Sequence, residues 1–279
     1  MRNLFAVNKT DEDNTAYDGE VFLRQSVPAE LAQRMDQQAE QLVKSVINKP
    51  LIIAMAVTAL VGLGLLRVCA SLWSEEVDAP ILTAVLLVLG IACLVASGLL
   101  AWWDHRRRKL AQESDEFQML ETEMDSAATA VRMTLGIPAD AADLEVLGCD
   151  YVIKRGKEKF TGEGYTHETC SLYAFVEDGE LLLADSEDKY AIPLSEITAV
   201  RRRQEKVKVW LWMKEDEPKS AAYKPYGIKY DKENDIYTLP EVYAIEISHD
   251  GEAYEVLVPA YEWERVLQPL TGLMVTEEG

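Results

Sequence analysis

The chain has 279 residues, with 48 Asp plus Glu against 28 Lys plus Arg and a formal net charge of −20. From Leu110 onward 36 acids face 17 bases, a net of −19, so this part should repel phosphate backbones and no nucleic-acid partner is expected. Four cysteines without a Cys-x-x-Cys pair and three histidines (His105, His167, His249) supply no zinc pattern, and no cofactor, metal site or catalytic residue is expected.

Residues 1–48 read as a cytoplasmic leader. Tyr17-Asp18-Gly19-Glu20 predicts a turn and Val21-Phe22-Leu23 a short strand. Ser26 and Pro28 are helix-start residues. Apolar residues then recur at Leu31, Met35, Ala39, Leu42, Val43, Val46 and Ile47, one stripe of an amphipathic helix. The first fifty residues hold no short apolar core followed by a small-residue cleavage site, so insertion is expected to depend on the first apolar run itself.

Residues 49–109 contain two uncharged or nearly uncharged runs, 51–73 and 81–103. Each would span roughly 35 Å as a helix at about 1.5 Å per residue, more than the roughly 30 Å hydrocarbon core of a bilayer. The link 74–80 is short, which predicts a transmembrane helical hairpin with both chain ends on one side. Lys44, Lys49, Arg106, Arg107, Arg108 and Lys109 flank the runs, while the link carries only Glu75, Glu76 and Asp78. The positive-inside rule then puts both termini in the cytoplasm of a multi-pass cell-membrane protein, with Trp73, Trp102 and Trp103 as interfacial anchors. Arg67 is the one charge within a run and sits near enough to its end for the side chain to snorkel outward. Ala54, Thr58 and Gly62, Ala92 and Ala96, and Cys93, Ser97 and Ala101 are small residues at helical spacing. They suit either packing within the hairpin or a homodimer face.

Residues 110–138 predict a cytoplasmic linker helix, with apolar residues from Leu110 to Leu135 and a stop at Gly136-Ile137-Pro138. The amphipathic helices before and after the hairpin could pair as a stalk or cover the domain beyond. Residues 139–279 change to strand texture: 144–153, 172–176, 181–184, 189–193, 197–201, 206–213, 242–248 and 252–258. Glu177-Asp178-Gly179-Glu180 and His249-Asp250-Gly251 predict tight hairpins. An amphipathic helix near Tyr261, Trp263, Val266 and Leu267, stopped by Pro269, closes the chain. Cys149 and Cys170 flank a predicted hairpin and are expected to remain thiols in a reducing compartment.

About seven antiparallel strands and a closing helix give an α+β chain whose soluble part has the order of a pleckstrin-homology-like barrel. The segment Tyr190-Ala191-Ile192-Pro193-Leu194-Ser195-Glu196-Ile197 within Leu181 to Val200, and Val256-Leu257-Val258-Pro259 followed by Tyr261-Glu262-Trp263, carry a resemblance. The chain resembles the YcxB-like bacterial membrane proteins and bacterial pleckstrin-homology-like domains. The helix at Leu110 to Leu135 and the insert Lys214 to Glu241 are departures from that pattern. The resemblance implies a β-barrel closed by the C-terminal helix and no catalytic residues.

Three surfaces are candidates for binding. Lys154, Arg155, Lys157 and Lys159 form a basic turn where some pleckstrin-homology domains hold phosphoinositide headgroups, although Glu158 and Glu163 interrupt it. Arg201, Arg202 and Arg203, with Lys206 and Lys208, could face an anionic leaflet together with Arg106 to Lys109, or pair with the domain's own carboxylates. Trp210 and Trp212 share one strand face and Val207 and Val209 the other, so one pair must be covered by something outside the strand. The insert around Tyr223, Tyr226 and Tyr230 is either a binding loop or a decorated hairpin. The expected function is a non-enzymatic, membrane-anchored cytoplasmic interaction module that binds a protein partner, a second copy of itself or anionic headgroups. The alternative is a small transport or channel component of oligomerised hairpins, with Arg67 lining a path.

Overall fold

A computed structural model describes residues 1–10, 16–74, 80–160, 167–210, 224–231, 233 and 236–276. The chain forms two compact units: residues 29–129, and residues 1–28 together with 130–279.

The first unit is helical, with α1 (Ala29–Val46), α2 (Lys49–Ser74), α3 (Pro80–Gln112) and the larger part of α4 (Asp115–Leu135). Asn48 caps α2 by accepting from the Leu51 N–H at 3.3 Å, and Ser114 caps α4 by accepting from the Phe117 N–H at 3.2 Å. Residues 49–73 and 80–112 are long and apolar enough to cross a membrane, with mean hydropathies of 2.3 and 2.7. The helices α2 and α3 pack where Gly62 and Gly90 meet: a Cβ on Gly62 would lie 3.1 Å from the Gly90 carbonyl oxygen. Ser97 Oγ also donates to the Met55 carbonyl at 3.1 Å. Gly62, Gly90 and Ser97 are therefore used inside the hairpin, where small residues allow close helix approach, while Ala54, Ala92 and Ala96 are exposed. Outside this seam the side chains point away from the protein, as at Leu60 (69% exposed) and Ile81 (81%), the arrangement of helices made for an apolar surround. Arg67 is exposed, and the acids of the link lie outside the described residues.

The second unit is a sheet interrupted in sequence by the first. Before it come β1 (Arg2–Asn3), β2 (Ala6–Asn8), β3 (Ala16–Tyr17), a 3-10 turn (Asp18–Phe22) and β4 (Leu23–Ser26). After it come β5 (Ala142–Lys154), β6 (Lys157–Phe160), β7 (His167–Glu177), β8 (Glu180–Ala184), β9 (Asp188–Pro193) and β10 (Ile197–Arg203). Then follow β11 (Val207–Trp210), β12 (Lys229–Asp231), β13 (Ile236–Leu239), β14 (Val242–His249) and β15 (Glu252–Pro259). The predicted strand at 21–23 is displaced, because Val21 and Phe22 belong to the 3-10 turn. The antiparallel path runs β4-β9-β8-β7-β5-β15-β14-β10. Among the described residues no strand joins β10 to β9, so the sheet is open. Two-residue turns make the hairpins: Arg155-Gly156, Asp178-Gly179 and Asp250-Gly251 all have positive φ, as turns matching strand twist require.

One apolar cluster fills the inner face, including Leu144, Val146, Leu183, Ile192, Ile245 and Val258. The closing helix is α5 (Ala260–Glu262), a π turn (Trp263–Leu267) and α6 (Gln268–Thr271). Trp263, 1% exposed, stacks on Tyr243 with ring centroids 5.4 Å apart. Pro269 does not stop this helix. It lies in the first turn of α6, where a missing N–H is tolerated, and Gly272 with φ 66° ends the run. At the end of α4, Ile137 N–H reaches the Arg132 carbonyl at 2.8 Å over a left-handed Gly136, a Schellman stop.

The N-terminal segment is built into this sheet rather than into the helix that follows it. Strands β15 and β5 pair only at Leu257 and Leu147, and the segment fills the gap where they diverge. Parallel β1 pairs with β15, and parallel β2 with β5. Leu4 N–H donates to the Glu255 carbonyl at 2.9 Å, Cys149 N–H to the Phe5 carbonyl at 3.3 Å, and Asn3 Nδ2 to the Leu147 carbonyl at 2.7 Å. Leu4 and Phe5 are 1% and 3% exposed within the main core. Gly148 must lack a side chain here, since a Cβ would lie 2.6 Å from the Phe5 carbonyl oxygen.

A chain of residues 130–279 alone should therefore show poor cooperativity in thermal or denaturant unfolding, and covalent addition of residues 1–28 through a flexible linker should restore a single sharp transition. In the intact protein Leu4→Ala should cost about 2–5 kcal/mol, as truncations of fully buried leucines do, measured by denaturant unfolding.

Candidate interaction surfaces

The register of β10 decides the fate of its three arginines. Alternation sends Arg201 and Arg203 to one face and Arg202 to the other. On the first face Glu246 and Glu255 stand directly opposite each other across β14 and β15, a repulsive cross-strand pair if left alone. Arg201 Nε meets Glu246 at 2.8 Å, and Arg203 Nη2 meets Glu255 at 2.5 Å. On the second face Arg202 forks onto Glu241 at 2.7 and 2.6 Å. Each of the three arginines thus has a carboxylate partner within its own unit.

The basic end of α3 is also partly engaged by its own unit. Arg108 Nη2 contacts Asp104 at 2.6 Å, Arg106 lies over the Trp102 ring at 5.7 Å, and Arg107 Nη2 donates to the Val46 carbonyl at 3.5 Å. The Asp104 partner is 3% exposed, and its i,i+4 spacing to Arg108 is a signal visible in the sequence. Lys109 is exposed.

The basic turn is different. Strands β5 and β6 continue past the main sheet as a hairpin arm, with Lys154 opposite Lys157 and Val152 opposite Lys159. Three lysines thus share one face and Arg155 occupies the turn, all four exposed. Among the described residues none of the four forms an ion pair, and Lys154 and Lys157 are like charges in direct cross-strand register. Other bases of this unit do find acids: Arg2 with Glu252, Lys9 with Asp150 and Arg24 with Glu180. Among the described residues the arm is thus a cluster of exposed cations on an acidic chain. Glu163 lies outside the described residues.

On β11, Val207 and Val209 are buried while Trp210 is 38% exposed. The aliphatic face is the inner one, packing with Leu239, Val242 and Leu257 in a second apolar cluster. Trp212 and Tyr223 lie outside the described residues. In the insert, Tyr230 stacks on Tyr237 at 4.6 Å, and Tyr226 donates to Glu264 at 2.9 Å.

Cys149 and Cys170 cannot approach through their side chains. In the β5–β7 register Cys170 opposes Val146, and alternation sends Val146 and Cys149 to opposite faces. Burial, aided by the charges of Glu168 and Asp185, pushes the Cys170 thiol up to about 11, away from nucleophilic use at neutral pH. Burial likewise pushes His167 below its usual range, against the opposing pull of Glu205 and Glu255. Among the described residues no group of three or more His, Cys, Asp or Glu could hold a metal ion.

Removing one partner of the more buried pair should cost more than removing one of the exposed pair. Glu255→Ala strands Arg203 and should lose about 1.5–3 kcal/mol, the usual range for hydrogen bonds to charged groups, whereas Arg202→Ala at the solvent-facing pair should lose clearly less. Both are read from denaturant unfolding. His167 binds its proton less readily folded than unfolded, so its contribution is complete above the unfolded pKa. That contribution is lost as pH falls below about 6.5, where the unfolded chain takes up the proton first; His167→Gln should flatten the stability profile there.

Comparison of the chain with family models, with curated proteins and with solved structures finds no match in any of the three.

Proposed function

We propose that the chain is a non-enzymatic interaction module anchored in the cytoplasmic membrane, with its β unit on the cytoplasmic side. The observation that carries this reading is that one sheet is assembled from segments on both sides of a long apolar helix pair. If α2 and α3 span a bilayer, residues 1–28 and 130–279 must lie on the same side of it, because their backbones are hydrogen-bonded to each other. The bases flanking the hairpin favour the cytoplasmic side. The strand order β9-β8-β7-β5 followed by β15-β14-β10, with the closing helix against the core, supports a pleckstrin-homology-like reading of the β unit.

The β5–β6 arm is the surface best suited to an anionic contact. Each lysine brought near an anionic leaflet contributes around 1 kcal/mol, and the arm offers three on one face. Arg201, Arg202 and Arg203 are less suited, since detaching them would leave Glu246 and Glu255 facing each other.

Alkaline extraction should leave the chain in the membrane pellet, and tags at either terminus should be accessible from the cytoplasmic side only. Extraction into the supernatant, or termini on opposite sides, would overturn the anchoring. In nanodiscs, hydrogen exchange at residues 154–159 should slow when anionic lipid replaces neutral lipid. Lys154→Glu with Lys157→Glu should abolish the difference. Equal exchange in both lipids would remove the arm from the reading.

A further inference from the structure

Two apolar grooves run along α3, one toward each end of its apolar run. The first is lined by Pro80, Ile81, Ala84, Val85, Val88 and Leu89, with no charged side chain among them. The second is lined by Ala96, Leu99, Leu100, Trp102 and Trp103. Its walls are uncovered: Leu99 is 62% exposed, Trp102 59% and Trp103 51%.

The second groove is set apart by the charge at its end. Helical spacing puts Arg106 four residues beyond Trp102 and Arg107 four beyond Trp103, so each base shares a stripe with one tryptophan. The Arg106 guanidinium lies over the Trp102 ring at 5.7 Å, a cation–π contact, and among the described residues it has no carboxylate partner. Arg107 donates through Nη2 to the Val46 carbonyl, and its Nε–H has no acceptor among the described residues. Arg108, by contrast, is turned to Asp104. Along α3 the surface thus passes from aliphatic side chains to tryptophans, which favour the membrane–water boundary, and then to two guanidiniums with N–H donors to spare. An anionic phospholipid has the same order of acyl chain, glycerol and phosphate, and the guanidinium fork matches phosphate oxygens.

We infer that this groove, with Arg106 and Arg107, is a binding site for one anionic phospholipid. The acyl chain lies along Ala96, Leu99 and Leu100, and the phosphate accepts from the two guanidiniums. The inference rests on the proposed anchoring, since a bilayer is what presents such a ligand to the side of α3. It is separate from the contact of the β5–β6 arm, because the site lies wholly on the helical hairpin.

The full chain, with Trp73, Trp210 and Trp212 changed to Phe, is reconstituted in phosphatidylcholine nanodiscs, where the core residue Trp263 gives a constant background. Rising fractions of phosphatidylglycerol or phosphatidylcholine, brominated near the headgroup end of one acyl chain, then report contact by quenching Trp102 and Trp103. Half-quenching should need roughly fivefold less of the brominated phosphatidylglycerol, the factor that one base near an anionic surface supplies. Arg106→Gln with Arg107→Gln should make the two lipids equal, and unchanged quenching by phosphatidylcholine shows that this variant is still inserted. Lys44→Gln with Lys49→Gln removes the same charge from the same end of the hairpin without changing α3, and should keep the preference. A preference that survives the arginine pair, or is lost equally with the lysine pair, overturns the site. Equal quenching by both lipids in the parent chain also overturns it and leaves the anchoring in place. Quenching by neither lipid takes α3 out of the bilayer, and the anchoring falls together with the site.

Discussion

The β unit depends on an extended segment wedged between two strands that part company. Leu147 and Leu257 hold β5 and β15 together at one point; beyond it each strand would present bare N–H and C=O groups and an opening into the core. Strands β1 and β2 satisfy those groups from both sides, while Leu4 and Phe5 plug the opening. Backbone groups buried without partners cost as much as lost hydrogen bonds, so the sheet needs this segment as much as any of its central strands. Because the segment precedes the helical hairpin and the rest of the sheet follows it, the β unit is assembled from both sides of α2 and α3 in sequence.

Charge is managed locally in this acidic chain. Two facing glutamates on β14 and β15 would repel, and the alternation of β10 supplies an arginine to each. What looks like a basic cluster in one dimension is thus a set of neutralised pairs in three. The β5–β6 arm departs from the rule. Its lysines flank a tight turn, and among the described residues they form no ion pair. The helical hairpin packs at the Gly62–Gly90 contact and turns many of its large apolar side chains outward.

Much of this was legible in the sequence. Two long apolar runs, asymmetric flanking charge, Asp-Gly turns and a Gly136 stop are local signals, and each reflects a local cause: helix length against bilayer thickness, positive φ at a turn, and the missing Cβ of glycine. The closing helix was legible too, although Pro269 misled as to its end, because a π turn shifts the register before it. The partners of Arg201, Arg202 and Arg203 were not legible, since Glu241, Glu246 and Glu255 lie 39 or more residues away and meet them only through strand pairing. The role of Arg2 to Asn8 was not legible either. A short polar-looking stretch with one Leu-Phe pair carries no periodicity, and its buried position follows entirely from a gap elsewhere in the sheet.

By itself the sequence determined the helical hairpin, the alternation of the strands, the positions of the turns and the acidic surface, because each depends on residues within one helical or strand period of each other. Only the tertiary structure decided which strand fills the β15–β5 gap, which arginines are neutralised, which cysteines face apart and which lysines remain exposed. Those outcomes are set by register between paired strands, and one residue of slip would reverse every face involved.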